Sequence, residues 1–368
     1  MQKSSLLEQF ANVLPLTVAL AGGCGEAPAP SSELDSQSPG VTMYSSRPNG
    51  TGIHVGSTQP ESWFGLTNVS LTWFLTGFAQ HGDGTWWATG WYSLSVGVVP
   101  AEAQVLRAQL GGVNQKVQQL RTSGSQLSID LVDPEGAVRS VQGADLAGLT
   151  LTLRVPDALG LTYTNYRLRI TGVESVDSAF HDVSGYRIEY VQDGLLGGTW
   201  SSYCRGAGGE SQRAVFYQGA QWHPMNAARS EGSQLVTMTC ESGSVARCMS
   251  WGYRPWASSG QAAAALDYHA SCIHMKRASY CGDSHTYTLD GTPIIVSDSW
   301  SPPINSGPLD ELEALWGPAG ATCLNRRRHP EIPFLGCAAP LPACPAQPSG
   351  YLIADALPPS GSLLGLVD

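Results

Sequence analysis

Between residues 69 and 191 apolar and polar positions alternate in short runs that stop at turn residues. Val69–Leu75 alternates as a half-buried strand does, and Trp91–Val96 does so less strictly. Gln126–Leu131 alternates cleanly and ends at Pro134-Glu135-Gly136. Leu149–Val155, Tyr166–Ile170 and Tyr186–Val191 follow, the last just before Asp193-Gly194. Strands at this density, with no helical period between them, predict a sandwich or barrel over residues 46–198. The alternate positions hold Ser, Thr and Arg, as in a sheet with one wet face.

Beyond residue 200 the pattern changes. Arg213–Gln218 and Gln234–Cys240 still read as strands. Gly260–Arg277 is Ala-rich, with Leu266, Ala270 and Ile273 at helical spacing, and predicts a helix. Thr286–Val296 predicts a hairpin about Asp290-Gly291. Leu309–Trp316 suits a short helix after Pro308, and residues 346–368 form a poorly patterned tail. The expected fold is therefore mainly β, sandwich- or barrel-like. To it is joined a disulfide-rich α+β C-terminal module over residues 199–345 with one prominent helix.

The chain has 368 residues, of which 14% are charged, too few for a coiled coil or a charge-rich disordered protein. Acidic residues outnumber basic ones by 30 to 20, so nothing offers the basic footprint of a nucleic-acid partner. One of the nine cysteines, Cys24, stands apart. The other eight, Cys204, Cys240, Cys248, Cys272, Cys281, Cys323, Cys337 and Cys344, are an even set that suits up to four disulfides. Sequence leaves their pairing open; the shortest loops favour Cys240–Cys248 and Cys272–Cys281. No C-x-x-C occurs and the spacings are unlike zinc sites, so neither a metal nor a cofactor is expected.

Lys3 precedes the apolar run Val13–Ala21, which is too short to span a bilayer but suits an export signal. Ala21-Gly22-Gly23-Cys24 resembles a lipobox, with Ala in place of the usual Leu and Glu8 as a further departure. Residues 1–24 are thus expected to be a lipoprotein signal with Cys24 lipidated, and 25–45 a disordered tether. The expected location is a bacterial envelope, with the membrane reached through that lipid, or the medium. Gly25 after the cysteine favours the outer membrane.

The Cys-rich half carries ordered motifs. Cys248-Met249-Ser250-Trp251-Gly252-Tyr253-Arg254-Pro255-Trp256 comes first, then Cys272–Asp283, Tyr287–Thr292 and Gly320–Leu324. Together they resemble the ADYC-domain family of exported bacterial proteins, named for a tetrapeptide that here reads Ala278-Ser279-Tyr280-Cys281. The resemblance extends back to Gly143-Ala144-Asp145-Leu146 and Trp200–Cys204 and covers about residues 140–345. Ser279 stands where the family has Asp. The family implies a fold unit and a compartment but no activity.

Chemical candidates are few. G-x-S-x-G, S-x-x-K, H-E-x-x-H and the phosphate-binding glycine motifs are absent. His269 and His274 lie about 140° apart on the predicted helix, which prevents joint chelation and predicts one in the core and one at the surface. Asp283, Ser284 and His285 follow Cys281 in a disulfide-fixed turn. They form either an Asx-turn or the polar groups of an extracellular hydrolase. Asp290 and Asp298 are the other acids available for a carboxylate pair. The aromatic candidates are Trp86, Trp87 and Trp91 around Gly82-Asp83-Gly84, and Trp251, Tyr253 and Trp256 around Arg254. Exposed, they would stack on glycans or anchor a protein partner; buried, they are core. The leading expectation is a non-enzymatic module that binds a protein or glycan, and the alternative is the hydrolase.

Overall fold

The computed structural model describes residues 64–65 and, apart from short internal stretches, 72–356. Cys24, the export signal and the tether lie outside the described residues, as does the Asp290-Gly291 turn. Among the described residues the larger sheet has thirteen strands. They are β1 (Phe64–Gly65), β2 (Thr72–Gln80), β3 (Trp86–Leu94), β4 (Gly97–Leu110), β5 (Val113–Ser123), β6 (Gln126–Val132), β7 (Val138–Gln142), β8 (Thr150–Pro156), β9 (Tyr163–Ser175), β10 (Ser184–Gln192), β11 (Ser201–Ser202), β12 (Ala214–Trp222) and β13 (Arg229–Cys240). All pairings are antiparallel, and β2 bonds to β3 on one side and β13 on the other. The ladder β2–β3–β4–β8–β9–β10–β12–β13 thus returns to β2 as an eight-stranded ring. Closure removes the open edges that would otherwise invite aggregation. Its thinnest seam is β10 to β12, where one residue pair, Tyr186 and Ala214, is matched.

Beyond residue 104 β4 leaves β3 and takes β5 as its partner. The turn between them is Gly111-Gly112, both at positive φ, as a two-residue hairpin of primed type requires. The β5–β6–β7 meander then packs against the interior of the ring. Leu120, Leu127, Ile129 and Leu131 join Phe78, Leu151, Leu168, Ile188, Phe216 and Met238 in one core, and Trp86 donates its indole N–H to Gln118 O at 3.2 Å.

β12 is buried on both faces. Ala214 and Phe216 face the ring core, while Val215, Tyr217 and Trp222 face a second core. That second core is closed by α1 (Ser244–Ser250), α2 (Ala262–Arg277) and a four-stranded sheet of β14 (Ile294–Asp298), β15 (Leu312–Gly317), β16 (Gly320–Leu324) and β17 (Leu352–Ala356). One strand is therefore the shared wall of the ring and the Cys-rich part.

Three expectations are corrected. Leu312–Trp316 is not a helix but β15, because ladders to β16 and β17 outweigh the helix preference of Leu, Glu and Ala. Among the described residues, Thr286–Leu289 forms no hairpin with Ile294–Val296; β14 pairs with β17, which lies in the supposedly unpatterned tail. The disulfides are Cys204–Cys240, Cys248–Cys272, Cys281–Cys337 and Cys323–Cys344, so neither short-loop pairing holds. Cys272 faces Cys248 from one helix to the next, and Cys281, past the helix end, turns to the loop after β16. Four disulfides indicate an oxidising compartment, extracellular or periplasmic. No helix among the described residues is long and apolar enough to cross a membrane.

Candidate functional site

The most ordered polar cluster is built where α2 stops. Ala278 takes a left-handed backbone, with φ +47°. Its N–H donates to Met275 O at 3.0 Å, and the Ser279 N–H donates to His274 O at 2.9 Å. These two bonds are the Schellman termination, which satisfies carbonyls that the helix itself leaves unpaired. Glycine is usual at this position, and a side chain there costs roughly 1–2 kcal/mol. The Ala278 methyl is fully buried, so its packing offsets part of that strain.

Tyr280 then enters the core. Its hydroxyl donates to Glu313 Oε1 at 2.8 Å and accepts the Arg328 N–H at 2.7 Å. Arg328 donates from Nε to Glu313 Oε2 at 3.1 Å and from Nη2 to Met275 O at 2.9 Å. The guanidinium thus satisfies a last-turn carbonyl of α2 and meets the negative end of its dipole. Both side chains of the ion pair are fully buried. Cys281 follows with its bond to Cys337. Gly282 has φ +64°, and a Cβ there would lie 1.9 Å from Ala319 O, so only glycine lets this turn seat on the β15–β16 turn.

The turn presents the three catalytic candidates. Asp283 Oδ1 accepts the His285 N–H at 2.9 Å, which is the Asx-turn, and Oδ2 lies 3.1 Å from His285 Nδ1. Asp283 is 38% and His285 46% exposed by side chain, and Ser284 is exposed. One carboxylate oxygen therefore holds the turn and the other meets the imidazole, on open surface. Asp298 is spent elsewhere: it accepts the Tyr253 hydroxyl at 3.0 Å and the N–H of Trp300 and Ile304.

Residues 143–330, a little over half of the sequence, match the ADYC domain family. The chain belongs to the ADYC family. No curated protein and no solved structure matches it. In this ADYC chain the signature is a helix stop, a buried tyrosine hub and a disulfide in succession. Ser279, at the position of the family's Asp, is buried and donates its hydroxyl to Asp283 O at 3.2 Å.

The other candidates divide by burial. Trp86, Trp251 and Tyr253 are core residues with no face to offer a partner. Arg254 is paired with Asp182, and Trp256 lies against Gly124 of the β5–β6 turn and within 6.4 Å of Tyr217. The Trp251–Trp256 segment is therefore the clamp between the Cys-rich part and the meander. Trp87 and Trp91 are half-buried, on the outward face of β3.

Both helical histidines are buried, His274 included, although one was expected at the surface. Burial lowers each to about 4. His269 donates Nδ1–H to Tyr253 O at 2.6 Å, which works against that shift, while nearby Arg229 adds to it. Arg277 adds to the lowering of His274. Burial also brings Arg277 down to about 10, with Asp283 opposing. Among the described residues no three His, Cys, Asp or Glu side chains are placed to hold a metal. Glu313 and Arg328 were not singled out by sequence: one sits in an apparent helix, the other in the run Arg326-Arg327-Arg328, where nothing marks the buried member.

Proposed function

We propose that this ADYC-family chain is an exported, non-enzymatic module that binds a protein or glycan partner. A lipid on Cys24 would hold it in a bacterial envelope, most simply the outer membrane. The observation that carries the reading is the outward face of β3. Trp87 and Trp91 alternate with Thr89 on that face, both half-buried. Trp87 stacks on His81 at 5.0 Å and donates its indole N–H to Thr85 Oγ1. Trp91 meets His223 edge-on at 4.6 Å. The rings are thus fixed in place while part of each remains open, as an anchoring surface requires.

Co-sedimentation with purified cell-wall and outer-membrane fractions tests this. The paired change Trp87→Ala and Trp91→Ala should lower the bound fraction by about tenfold, at unchanged thermal stability. Equal sedimentation of parent and variant contradicts it.

The second reading is a hydrolase, favoured by the Asp283–His285 contact of 3.1 Å. It requires that Asp283→Asn abolish a hydrolytic activity measured on the purified protein; unchanged turnover removes it.

A further inference from the structure

We propose that the depression where β9 begins and β10 ends is a binding site for a neutral saccharide. This deepens the binding-module reading but stands on a different surface from Trp87 and Trp91. The depression is about 440 Å³ and is lined by Tyr163, Thr164, Asn165, Gln192 and Asp193. That volume is within the range of small-molecule sites, about 300–1,000 Å³.

Each lining group matches a part of a sugar. Tyr163 is 53% exposed, and the Arg154 guanidinium carbon sits 4.2 Å over its ring centroid. The ring is thereby braced as a platform for the C–H face of a pyranose. Asn165 and Gln192 supply amides that both donate and accept, and Asp193 supplies an acceptor, the mixture that a row of hydroxyls needs. The floor is fixed by the Asp193 N–H, which donates to Asn165 O at 2.8 Å.

Charge selects for a neutral ligand. Asp193 is held by Arg167 at 3.0 Å, and Arg169 by Glu189 at 2.6 Å. Arg167 and Arg169 also lie over Trp200, at 5.4 and 4.1 Å from its ring centroid. The bordering charges are therefore engaged within the protein, Asp193 with Arg167, Glu189 with Arg169 and Arg154 on the Tyr163 ring, so none is left over to select a charged ligand. The polar lining likewise disfavours an apolar ligand.

The experiment is calorimetric titration of the full chain with five probes: glucose, N-acetylglucosamine, maltotetraose, cellotetraose and chitotriose. Parent, Tyr163→Ala, Tyr163→Phe and Trp91→Ala proteins are compared. The expected result is saturable binding of at least one probe. Tyr163→Ala should weaken it by about tenfold or more, whereas Tyr163→Phe stays within about twofold. Absence of binding by all five, or equal binding by Tyr163→Ala, overturns the proposal. A probe that binds and is lost only in Trp91→Ala overturns this site while leaving the binding-module reading in place. Loss of both saccharide binding and envelope co-sedimentation in the parent removes the two together.

Discussion

In the ring, paired backbone does most of the holding; in the Cys-rich part, side chains and covalent links do. β9 and β10 match nine residue pairs, and the ring core is mostly Leu, Ile, Val, Phe, Tyr, Trp and Ala, with Met238 and the Cys204–Cys240 bond. Among the described residues the second sheet has no ladder longer than the five pairs of β14 and β17. Its neighbourhood buries His269, His274, Lys276, Arg277, Glu313 and Arg328, and three of the four disulfides lie wholly within it. Short strands and long connections bury too little regular structure to repay the ordering of the chain. Disulfides restrict the unfolded state, and the Tyr280–Glu313–Arg328 joint fixes one arrangement at the end of α2. The family signature sits at that joint, so its residues specify packing.

Changes that break one kind of support should leave the other region standing. The largest effect is expected from Glu313→Gln, which leaves the Arg328 charge buried without its partner. Loss of roughly 3–5 kcal/mol is predicted, read as a lower denaturant midpoint. Next is removal of the Cys281–Cys337 bond by a paired Cys→Ser change. It frees a loop spanning 56 residues, worth about 4 kcal/mol on chain-entropy grounds. Thermal unfolding at fixed protein concentration measures this.

Acid should act on the same region. His269 and His274 titrate at about 4 in the fold, against an ordinary 6.5 in the unfolded chain. Between those values the unfolded state binds more protons, so stability is full above 6.5 and falls as pH drops toward 4. From neutral to mildly acidic solution, about two pH units, the loss is roughly 2 kcal/mol for each histidine. His269→Gln should flatten part of that slope. The smallest effect is expected on the ring exterior, where Glu174→Gln breaks a half-exposed pair with Arg187. A change under about 1 kcal/mol is predicted in the same denaturant assay.

The sequence made the ring strands with clean alternation legible, because one face is wet and the other dry: β6, β8 and β10 appear within a few residues of their predicted spans, and β9 contains the predicted Tyr166–Ile170 but runs on to Ser175. β5 carried no such signal. Its residues are mostly exposed or half-buried, with Leu120 its one fully buried side chain, so alternation is weak. β15 was hidden by helix-forming residues, and β17 by its distance from the partner that orders it. α2 was read correctly from its alanines. What surrounds its end was not, since burial of Glu313 and Arg328 depends on contacts between segments far apart in the chain. Of the polar turn, the Asx geometry of Asp283 could be anticipated from Gly282-Asp283-Ser284-His285; its contact with the imidazole could not.

Hydrogen exchange by mass spectrometry on the parent and Glu313→Gln proteins, with disulfides intact, tests the division most directly. Protection should fall at the end of α2, in β15 and in residues 320–328, while β8, β9 and β10 exchange as in the parent. Uniform loss of protection across the ring, or no loss around α2, would contradict the claim that the signature builds a local structural joint.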